Sequence, residues 1–286
     1  MVREVQAVKD LRVSGLLMAA RVRSDWQYRT SFFTYLTAQV LVTSLEFIAL
    51  VLLLRLVPDL GGWTGSQAAF LYGMAAVPFA VTMLTVASVD RLANYVKEGT
   101  FDRLLLRPIP AVLQIIALEF ELRRLGRLPP PLLILIWAAP RTGVDWDLRT
   151  VAALVLALVC GTCIYSAIWI AAAAMSFWMI ASQEATNSVT YGGEFANHYP
   201  LHLYRGWIRA VIGWSIPLAF VAYVPSVYLF ESGAGVTDGA GRAILVTPLE
   251  MPSWLFYMTP AVALAAMAVA LTLWSRGVAH YQSTGS

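Results

Sequence analysis

Residues 68–110, AAFLYGMAAVPFAVTMLTVASVDRLANYVKEGTFDRLLLRPIP, join a long apolar run to a charged segment that contains a short helix of its own. The run at 68–89 is long enough to cross a bilayer, since about 20 apolar residues suffice. In the charged part, 90–110, Gly99 breaks the chain and Thr100 is placed to act as an N-cap. Asp102 falls in the first turn, and the Arg-Pro pair at 107–108 ends the segment. The stretch therefore predicts a membrane span followed by a delimited cytoplasmic helix.

This short helix has roughly two turns, with Phe101, Leu104 and Leu105 on one side. Because so short a helix is not stable alone in water, we expect it to dock against another surface. Its apolar side with a polar rim suits a pocket on a soluble partner. The residues predicted to couple the chain to that partner are Glu98, Thr100, Phe101, Asp102, Leu104, Leu105 and Arg107.

The composition requires a bilayer. Of the 286 residues, 59% are hydrophobic and only 13% are charged, whereas a soluble domain carries about 25% charged residues. Besides 68–89, apolar stretches occupy 34–54, 128–139, 151–179, 210–230 and 255–274. We therefore predict an all-α integral membrane protein with six spans. The third stretch is short, and it crosses only if it borrows from the charged residues before it or the polar residues after it.

The basic residues favour keeping the third span. With six spans and a cytoplasmic N-terminus, 16 of the 20 Lys and Arg residues fall inside and four outside. This distribution follows the positive-inside rule and predicts that both termini are cytoplasmic. Omitting the third span would move Arg205, Arg209 and Arg276 outside. The same topology predicts that the Gly-rich stretch 231–253 is an extracellular loop.

The N-terminal stretch, 1–30, alternates apolar residues with Arg12, Arg21 and Arg23, and no cleavable signal is evident in it. It predicts an amphipathic helix in the membrane interface, its basic residues facing anionic headgroups. The rest of the chain, 31–286, reads as a single permease domain.

Glu46 lies near the middle of the first predicted span, where an ionisable group costs about 2.5 to 3.5 kcal/mol to insert. It should face the protein interior or a wet cavity. Two interpretations remain open: a residue of a transport pathway or helix contact, and a protonated or hydrogen-bonded glutamate that only packs. In the fifth span, Pro217 and Pro225 predict a kink or an interruption.

Glu194, His198 and His202 follow one another at four-residue intervals. On a helix this spacing could present metal ligands on one face, which would suit an integral-membrane enzyme. Pro200 argues against an unbroken helix, and no fourth ligand of this kind is close in sequence. The alternative is a cytoplasmic turn anchored by aromatic residues. The chain has no GxxxxGK[ST] motif, so any ATP use must come from a partner.

An ordered series of motifs resembles one family over nearly the whole chain. They are EGTFDRLLLRPIP at 98–110, FELRRLGRL at 120–128, SFW at 176–178, TYGGEFANHYPLHLY at 190–204, IPLAFVAYVPS at 216–226 and RGVAHYQSTGS at 276–286. Together they resemble the permease subunits of bacterial ATP-binding-cassette exporters of the six-span drug and polysaccharide export superfamily. The chain is most similar to the group in which two related permeases accompany one ATPase.

The resemblance implies half of a transporter in the bacterial plasma (inner) membrane. It implies a related, non-identical second permease and two ATPase copies that hold ATP and Mg, so this chain is neither an enzyme nor a cofactor carrier and has no nucleic-acid partner. In that family the coupling helix matches 98–107 here, and the N-terminal helix borders the ATPase. An importer of the same architecture remains an alternative, and the resemblance favours export.

Overall fold

The computed structural model describes residues 2–56, 63–179, 182–231 and 252–282. Within these ranges the chain forms helices and no β-strand. The α-helices are α1 (Val2–Gln27), α2 (Arg29–Leu56), α3 (Gly65–Thr85), α4 (Leu92–Lys97), α5 (Phe101–Leu105), α6 (Ala111–Leu118), α7 (Pro129–Ala138), α8 (Leu148–Ala174), α9 (Ser182–Asn197), α10 (Gly206–Ala210), α11 (Tyr223–Glu231) and α12 (Thr259–His280). Short 3₁₀ turns connect many of them.

Four helices are long and apolar enough to cross a membrane: Arg29–Ala49, Gly65–Thr85, Leu148–Phe177 and Ser253–His280. They correspond to the first, second, fourth and sixth predicted spans. The fourth extends for 30 residues, which is longer than a bilayer requires. The third and fifth predicted spans do not form single long helices. The predicted outer loop, 231–253, lies almost entirely outside the described residues.

In place of the third predicted span, the structure has two short helical pieces that lie alongside α3. A 3₁₀ helix, Leu122–Arg127, leads into α7, which has 10 residues. At one end of α3 the Arg124 guanidinium donates to the Met83 carbonyl at 3.3 Å. At the other end the Ser66 hydroxyl donates to the Arg141 carbonyl at 2.9 Å. The segment therefore runs the length of α3, and it does so by including charged residues that precede the apolar stretch.

The fifth predicted span, 210–230, is interrupted. A π-helical turn, Val211–Ser215, ends before Pro217, and regular helix resumes only at Tyr223. Proline has no backbone N–H, so Pro217 cannot continue the hydrogen-bond ladder. This confirms the predicted interruption. Pro225 is tolerated because it lies in the first turn of α11, where backbone N–H groups have no helical partner.

The segment 190–204 is not the cytoplasmic turn that was predicted. It begins as α9, which runs antiparallel to α3: the Tyr191 hydroxyl lies 3.9 Å from the Met83 sulfur, and the His198 ring lies 4.6 Å from the Tyr72 ring. His202 then packs against Trp63, which precedes α3, with ring centroids 5.9 Å apart. The segment thus passes from the Met83 end of α3 to the Trp63 end.

This path corrects the charge count. Arg209 acts electrostatically on Tyr223, which stacks on Trp63 at 5.6 Å, so Arg209 lies toward the Trp63 end of the bundle, as does the nearby Arg205. When Arg205 and Arg209 change side, the split of Lys and Arg becomes 14 against 6. Most Lys and Arg residues still fall on the side predicted to be cytoplasmic, so the predicted orientation of the chain is the same with either placement of Arg205 and Arg209.

The core forms where α3, α8 and α9 meet. Phe79 of α3 lies 5.3 Å from Trp169 and 5.4 Å from Tyr165, and Tyr191 lies 5.5 Å from Trp169, measured between ring centroids. Aromatic rings at these distances attract each other beyond the free energy of their burial. Helix α3 is buried along most of its length, whereas most of α2 is exposed.

Two capping boxes set the first turns of the buried helices. The Thr64 hydroxyl accepts from the Gln67 amide N–H, and the Gln67 side chain accepts from the Thr64 N–H. Asp147 and Thr150 make the same reciprocal pair at the start of α8. Each box satisfies two N–H groups that the helix leaves without a partner.

Candidate functional site

The turn between α4 and α5 is set by Gly99. Its φ is 66°, a left-handed conformation that favours glycine. The Gly99 N–H donates to the Val96 carbonyl at 3.2 Å and the Thr100 N–H to the Tyr95 carbonyl at 3.0 Å. This pair of bonds is a Schellman motif, which closes the end of α4.

Thr100 does not cap α5 as predicted. Its backbone is in the right-handed helical region, and its side chain makes no cap hydrogen bond to α5. The hydroxyl instead donates to the Tyr95 carbonyl at 3.4 Å. The prediction was wrong because the end of α4 uses the hydroxyl that the start of α5 was expected to use.

Helix α5 turns two of the three apolar residues of its predicted docking side into the chain itself. Phe101 is fully buried and Leu104 nearly so. The Phe101 ring lies 5.3 Å from Phe177 at the end of α8 and 5.0 Å from Tyr281 just after α12. The inner side of α5 is therefore attached to the ends of two long helices.

The outer side of α5 is the surface left for a partner. Leu105 is 44% exposed and Leu106 is 86% exposed, and the Arg103 and Arg107 side chains beside them are exposed as well. We call these four residues, Arg103, Leu105, Leu106 and Arg107, the α5 cap. Of the other predicted coupling residues, Glu98 is exposed and Asp102 is half-buried.

Gln114 holds the turn after α5 in place, and sequence reasoning missed it. Its side chain is fully buried in α6, and its amide nitrogen donates to the Leu104 carbonyl at 2.8 Å and the Ile109 carbonyl at 2.7 Å. These two bonds link α6 to the last turn of α5 and to the turn that follows it. A polar residue at the fourth position of an otherwise apolar octapeptide is the signal that could have identified it.

A polar cavity of about 410 Å³ lies beside the α5 cap. Within it the Tyr95 hydroxyl donates to the Glu119 carboxylate at 2.8 Å. Burial and this hydrogen bond raise the pKa of Tyr95 to about 12. The charged and aromatic residues that line the cavity are Arg91, Tyr95, Glu98, Arg103, Arg107 and Glu119.

Helix α1 packs along α6, close to this cavity. Arg21 is near enough to Tyr95 to act on it electrostatically, and both Arg21 and Arg23 are exposed. Arg12 falls within α1, and its side chain lies outside the described residues. The N-terminal region is therefore a helix as predicted, and its placement in the membrane interface stays a prediction.

Glu121 joins three arginines where α3 ends. Its carboxylate lies 2.9 Å from the Arg124 guanidinium, 3.0 Å from that of Arg123 and 3.4 Å from that of Arg91. Burial alone would raise its pKa, but Arg124 and Arg123 outweigh burial and hold the pKa of Glu121 below its usual range. By sequence alone these arginines are loop charges, whereas their shared carboxylate ties the third segment to the residues after α3.

Deeper in the bundle the structure brings two charge pairs together. Glu46 of α2 lies 3.6 Å from the Arg127 guanidinium, which also lies 5.5 Å from the centre of the Phe79 ring. The His198 Nε2 lies 2.9 Å from the Glu194 carboxylate, and both of these side chains are buried. Glu46 is thus paired with an arginine of the third segment while its side chain stays 35% exposed, and its role in a transport pathway stays a prediction.

The three residues of the predicted metal site are not brought together. His202 Nδ1 lies 3.1 Å from the Tyr223 hydroxyl, apart from the Glu194–His198 pair. Among the residues that the structure describes, no three His, Cys, Asp or Glu side chains are grouped as metal ligands. The Pro200 turn after α9 explains the separation, because it takes His202 off the helix face that carries Glu194 and His198.

Comparison with known proteins adds one match. A family model described as "ABC-2 family transporter protein" matches residues 40–285. No curated protein and no solved structure matches the chain. The matched range contains the α5 cap and both charge pairs.

Proposed function

The chain belongs to the ABC-2 family of transporter proteins, and we propose that it is the permease of an exporter whose separate ATPase subunit docks on the α5 cap. Members of this family are membrane components of transporters and are not themselves catalytic. Beyond membership of the family, we propose that an ATPase is the partner, that the α5 cap is the surface on which it docks, and that transport is outward. Export follows from the resemblance of the motif series described above.

The observation that carries the proposal is the two-sided construction of α5. Phe101 and Leu104 attach it to the permease core, while Leu105 and Leu106 point away from the core with arginines beside them. Burial of a leucine side chain stabilises a complex by about 1.5 to 3 kcal/mol, so a partner that covers this exposed pair gains binding free energy.

The contacts on the inner side of α5 can transmit a displacement of this helix to the spans. A push on the α5 cap passes through Phe101 to Phe177 and Tyr281, and these residues end the two long helices α8 and α12. Gln114 holds the following turn to α6, so the segment moves as a rigid piece. ATP binding on the ATPase would displace α5 and shift the spans between two access states.

The rest of the assembly follows from the family resemblance. Two ATPase copies would bind ATP and Mg, and a second, related permease would complete the translocation path. The α1 side chains Arg21 and Arg23 would border the ATPase. In this arrangement the α5 cap and both chain termini face the cytoplasm of a bacterium, and the chain resides in the inner membrane.

The test is affinity purification of the tagged chain from its native membrane, with mass spectrometry of the proteins that accompany it and native mass measurement of the complex. We expect an ATPase with a nucleotide-binding motif, and a second permease in equal amount to this chain. Recovery of this chain alone, under a detergent that keeps a known transporter of the same membrane intact, would contradict the proposal.

A further inference from the structure

An apolar cavity of about 650 Å³ lies between α8, α9 and α12, and neither the family match nor the docking surface accounts for it. Its walls include Ala172 of α8 and Ala266 of α12. Among the described residues that line it, the polar side chains are those of Thr186 and Ser215. The Thr186 hydroxyl already donates to the Ala172 carbonyl at 3.1 Å. The cavity therefore suits a hydrocarbon ligand.

The cavity has the length of one leaflet of a bilayer. Along α12 it extends from Val262 to Leu273, which is about 16 Å at a rise of about 1.5 Å per residue. The hydrocarbon core of a bilayer is about 30 Å thick, so one leaflet contributes about 15 Å. Both α8 and α12 belong to helices that are long and apolar enough to cross a membrane. The length of the cavity thus matches that of one lipid acyl chain.

The cavity lies in the half of the bundle that carries α5. Near one end of it the Cys163 sulfur lies 3.6 Å from the Ala263 carbonyl, and near the other end the Phe177 ring lies 5.7 Å from the Trp274 ring. Phe177 also contacts Phe101 of α5 at 5.3 Å. In the predicted topology this half corresponds to the cytoplasmic leaflet.

The cavity opens sideways, and it is too narrow for a helix of another subunit. Met175, Val189 and Val269 line it and are exposed, so its opening lies on the flank of the spans. A helix 16 Å long with a diameter of about 10 Å occupies roughly 1,300 Å³, about twice the volume of the cavity. An extended hydrocarbon chain is much thinner than a helix. The opening therefore admits a lipid chain from the side.

Arg276 continues the α12 side of the cavity beyond its apolar part. Val262, Ala266, Val269 and Leu273 follow one another at helical spacing along the wall. Arg276 comes three residues after Leu273, so it lies on the same face of the helix, and its side chain is exposed. A guanidinium binds a phosphate through two parallel N–H donors. The cavity thus joins an apolar slot to a cation at the end nearest α5.

We propose that this cavity binds one acyl chain of a phospholipid from the leaflet on the α5 side, and that Arg276 contacts the phosphate of the same lipid. An unfilled apolar cavity stays dry and lacks the dispersion contacts that a chain supplies. Met175 and Met179 line the cavity on either side of Phe177, which holds α5. A bound lipid would therefore support the end of α8 to which α5 is attached.

The test uses the full chain in phosphatidylcholine vesicles that contain a phosphatidylglycerol with a diazirine halfway along one acyl chain. Illumination followed by residue-level mass spectrometry of peptides locates the adducts. We expect adducts on the facing walls of the cavity, at Ala172 and Ala266. Leu264 is 69% exposed and does not line the cavity, so adducts there report ordinary contact with the bilayer.

Two alanines of α12 give the decisive comparison. Ala266→Phe fills the cavity, and it should remove the adducts at Ala172 while those at Leu264 remain. Ala268→Phe is the matched control, because Ala268 is exposed on the same helix and does not line the cavity. It should leave both sets of adducts unchanged. Absence of adducts at Ala172 in the wild-type chain, or their persistence in Ala266→Phe, would overturn the proposal.

The phosphate contact has its own variants on the exposed surface. Arg276→Gln should lower the yield of cavity adducts by a factor of about two to five, the scale of an exposed ion pair. Arg276→Lys, which keeps the charge, should retain most of the yield. An unchanged yield in Arg276→Gln would contradict the assignment of the phosphate.

A second protein is the competing occupant of the cavity. In native membranes a photoreactive amino acid at position 172 should capture phospholipid, and capture of another protein chain there would equally overturn the proposal. The vesicle experiment contains no ATPase, so its outcome is independent of the docking surface.

Discussion

Leu106 and Phe101 lie on opposite sides of the same short segment, and their substitutions should have opposite effects. Leu106 is 86% exposed, so Leu106→Asp should change the free energy of unfolding by no more than about 0.5 kcal/mol. If the ATPase buries this leucine, the substitution removes about 1.5 to 3 kcal/mol of binding free energy. Desolvation of the new carboxylate adds to that loss. The affinity for the ATPase should therefore fall by a factor of at least about ten.

Phe101→Ala should instead weaken the fold. The ring is fully buried between Phe177 and Tyr281, and removal of such a ring costs about 3 to 5 kcal/mol. We expect a lower unfolding temperature in detergent, with loss of coupling as a consequence. A Phe101 variant therefore cannot report on docking alone, whereas a Leu106 variant can.

The assay measures ATPase activity and ATPase binding of the reconstituted complex, together with thermal unfolding of each variant. Leu148→Asp is the matched control, because Leu148 is 87% exposed at the far end of the bundle. It should bind and stimulate the ATPase as the wild-type chain does. Normal coupling in Leu106→Asp, or equal loss of coupling in Leu148→Asp, would refute the assignment of the docking surface.

Three further predictions concern residues that hold neighbouring elements together or begin a helix. Glu121→Gln should lower the free energy of unfolding by about 3 kcal/mol at pH 7, because it leaves the nearly buried Arg124 guanidinium without its carboxylate. The pKa of Glu121 is lowered in the folded chain, so the difference in unfolding free energy between wild type and variant should be fully present above the ordinary pKa range of glutamate. It should disappear as the pH falls through the pKa that Glu121 has in the folded chain. Thermal unfolding measured across pH follows this change. Gly277→Ala would place a Cβ against the Phe177 ring. The steric cost of about 1 to 3 kcal/mol in unfolding free energy should exceed the gain of up to about 1 kcal/mol in helix propensity. A raised unfolding temperature would contradict this. Asp147→Ala should cost about 1 kcal/mol in the same assay, because it removes the cap of α8, and Asp147→Asn should restore most of it.

The long apolar helices could be predicted because hydropathy and length alone determine them. The region 190–204 could not, because Glu194, Asn197 and His198 make it look like a polar turn. Their hydrogen-bond and ionic partners, among them Tyr165, come from elsewhere in the chain or from one helical turn away. A buried segment whose polar groups are satisfied by distant residues has no signal in local hydropathy.

The docking helix shows a different limit. Periodicity predicted that Phe101 and Leu104 would be covered, and they are, but by the ends of α8 and α12 instead of a partner. A pattern of apolar residues indicates that a face is buried without indicating what buries it. Leu106, which follows the helix and breaks its pattern, is the residue that only the structure brings forward.

The most direct test of the central claim is photo-cross-linking in intact cells, with a photoreactive amino acid at position 106 and, in a separate strain, at position 148. The account predicts that position 106 forms an adduct with an ATPase subunit, identified by mass spectrometry, and that position 148 forms none. Absence of an ATPase adduct at position 106, or an equal yield at both positions, would contradict the claim that this permease is moved through the α5 cap.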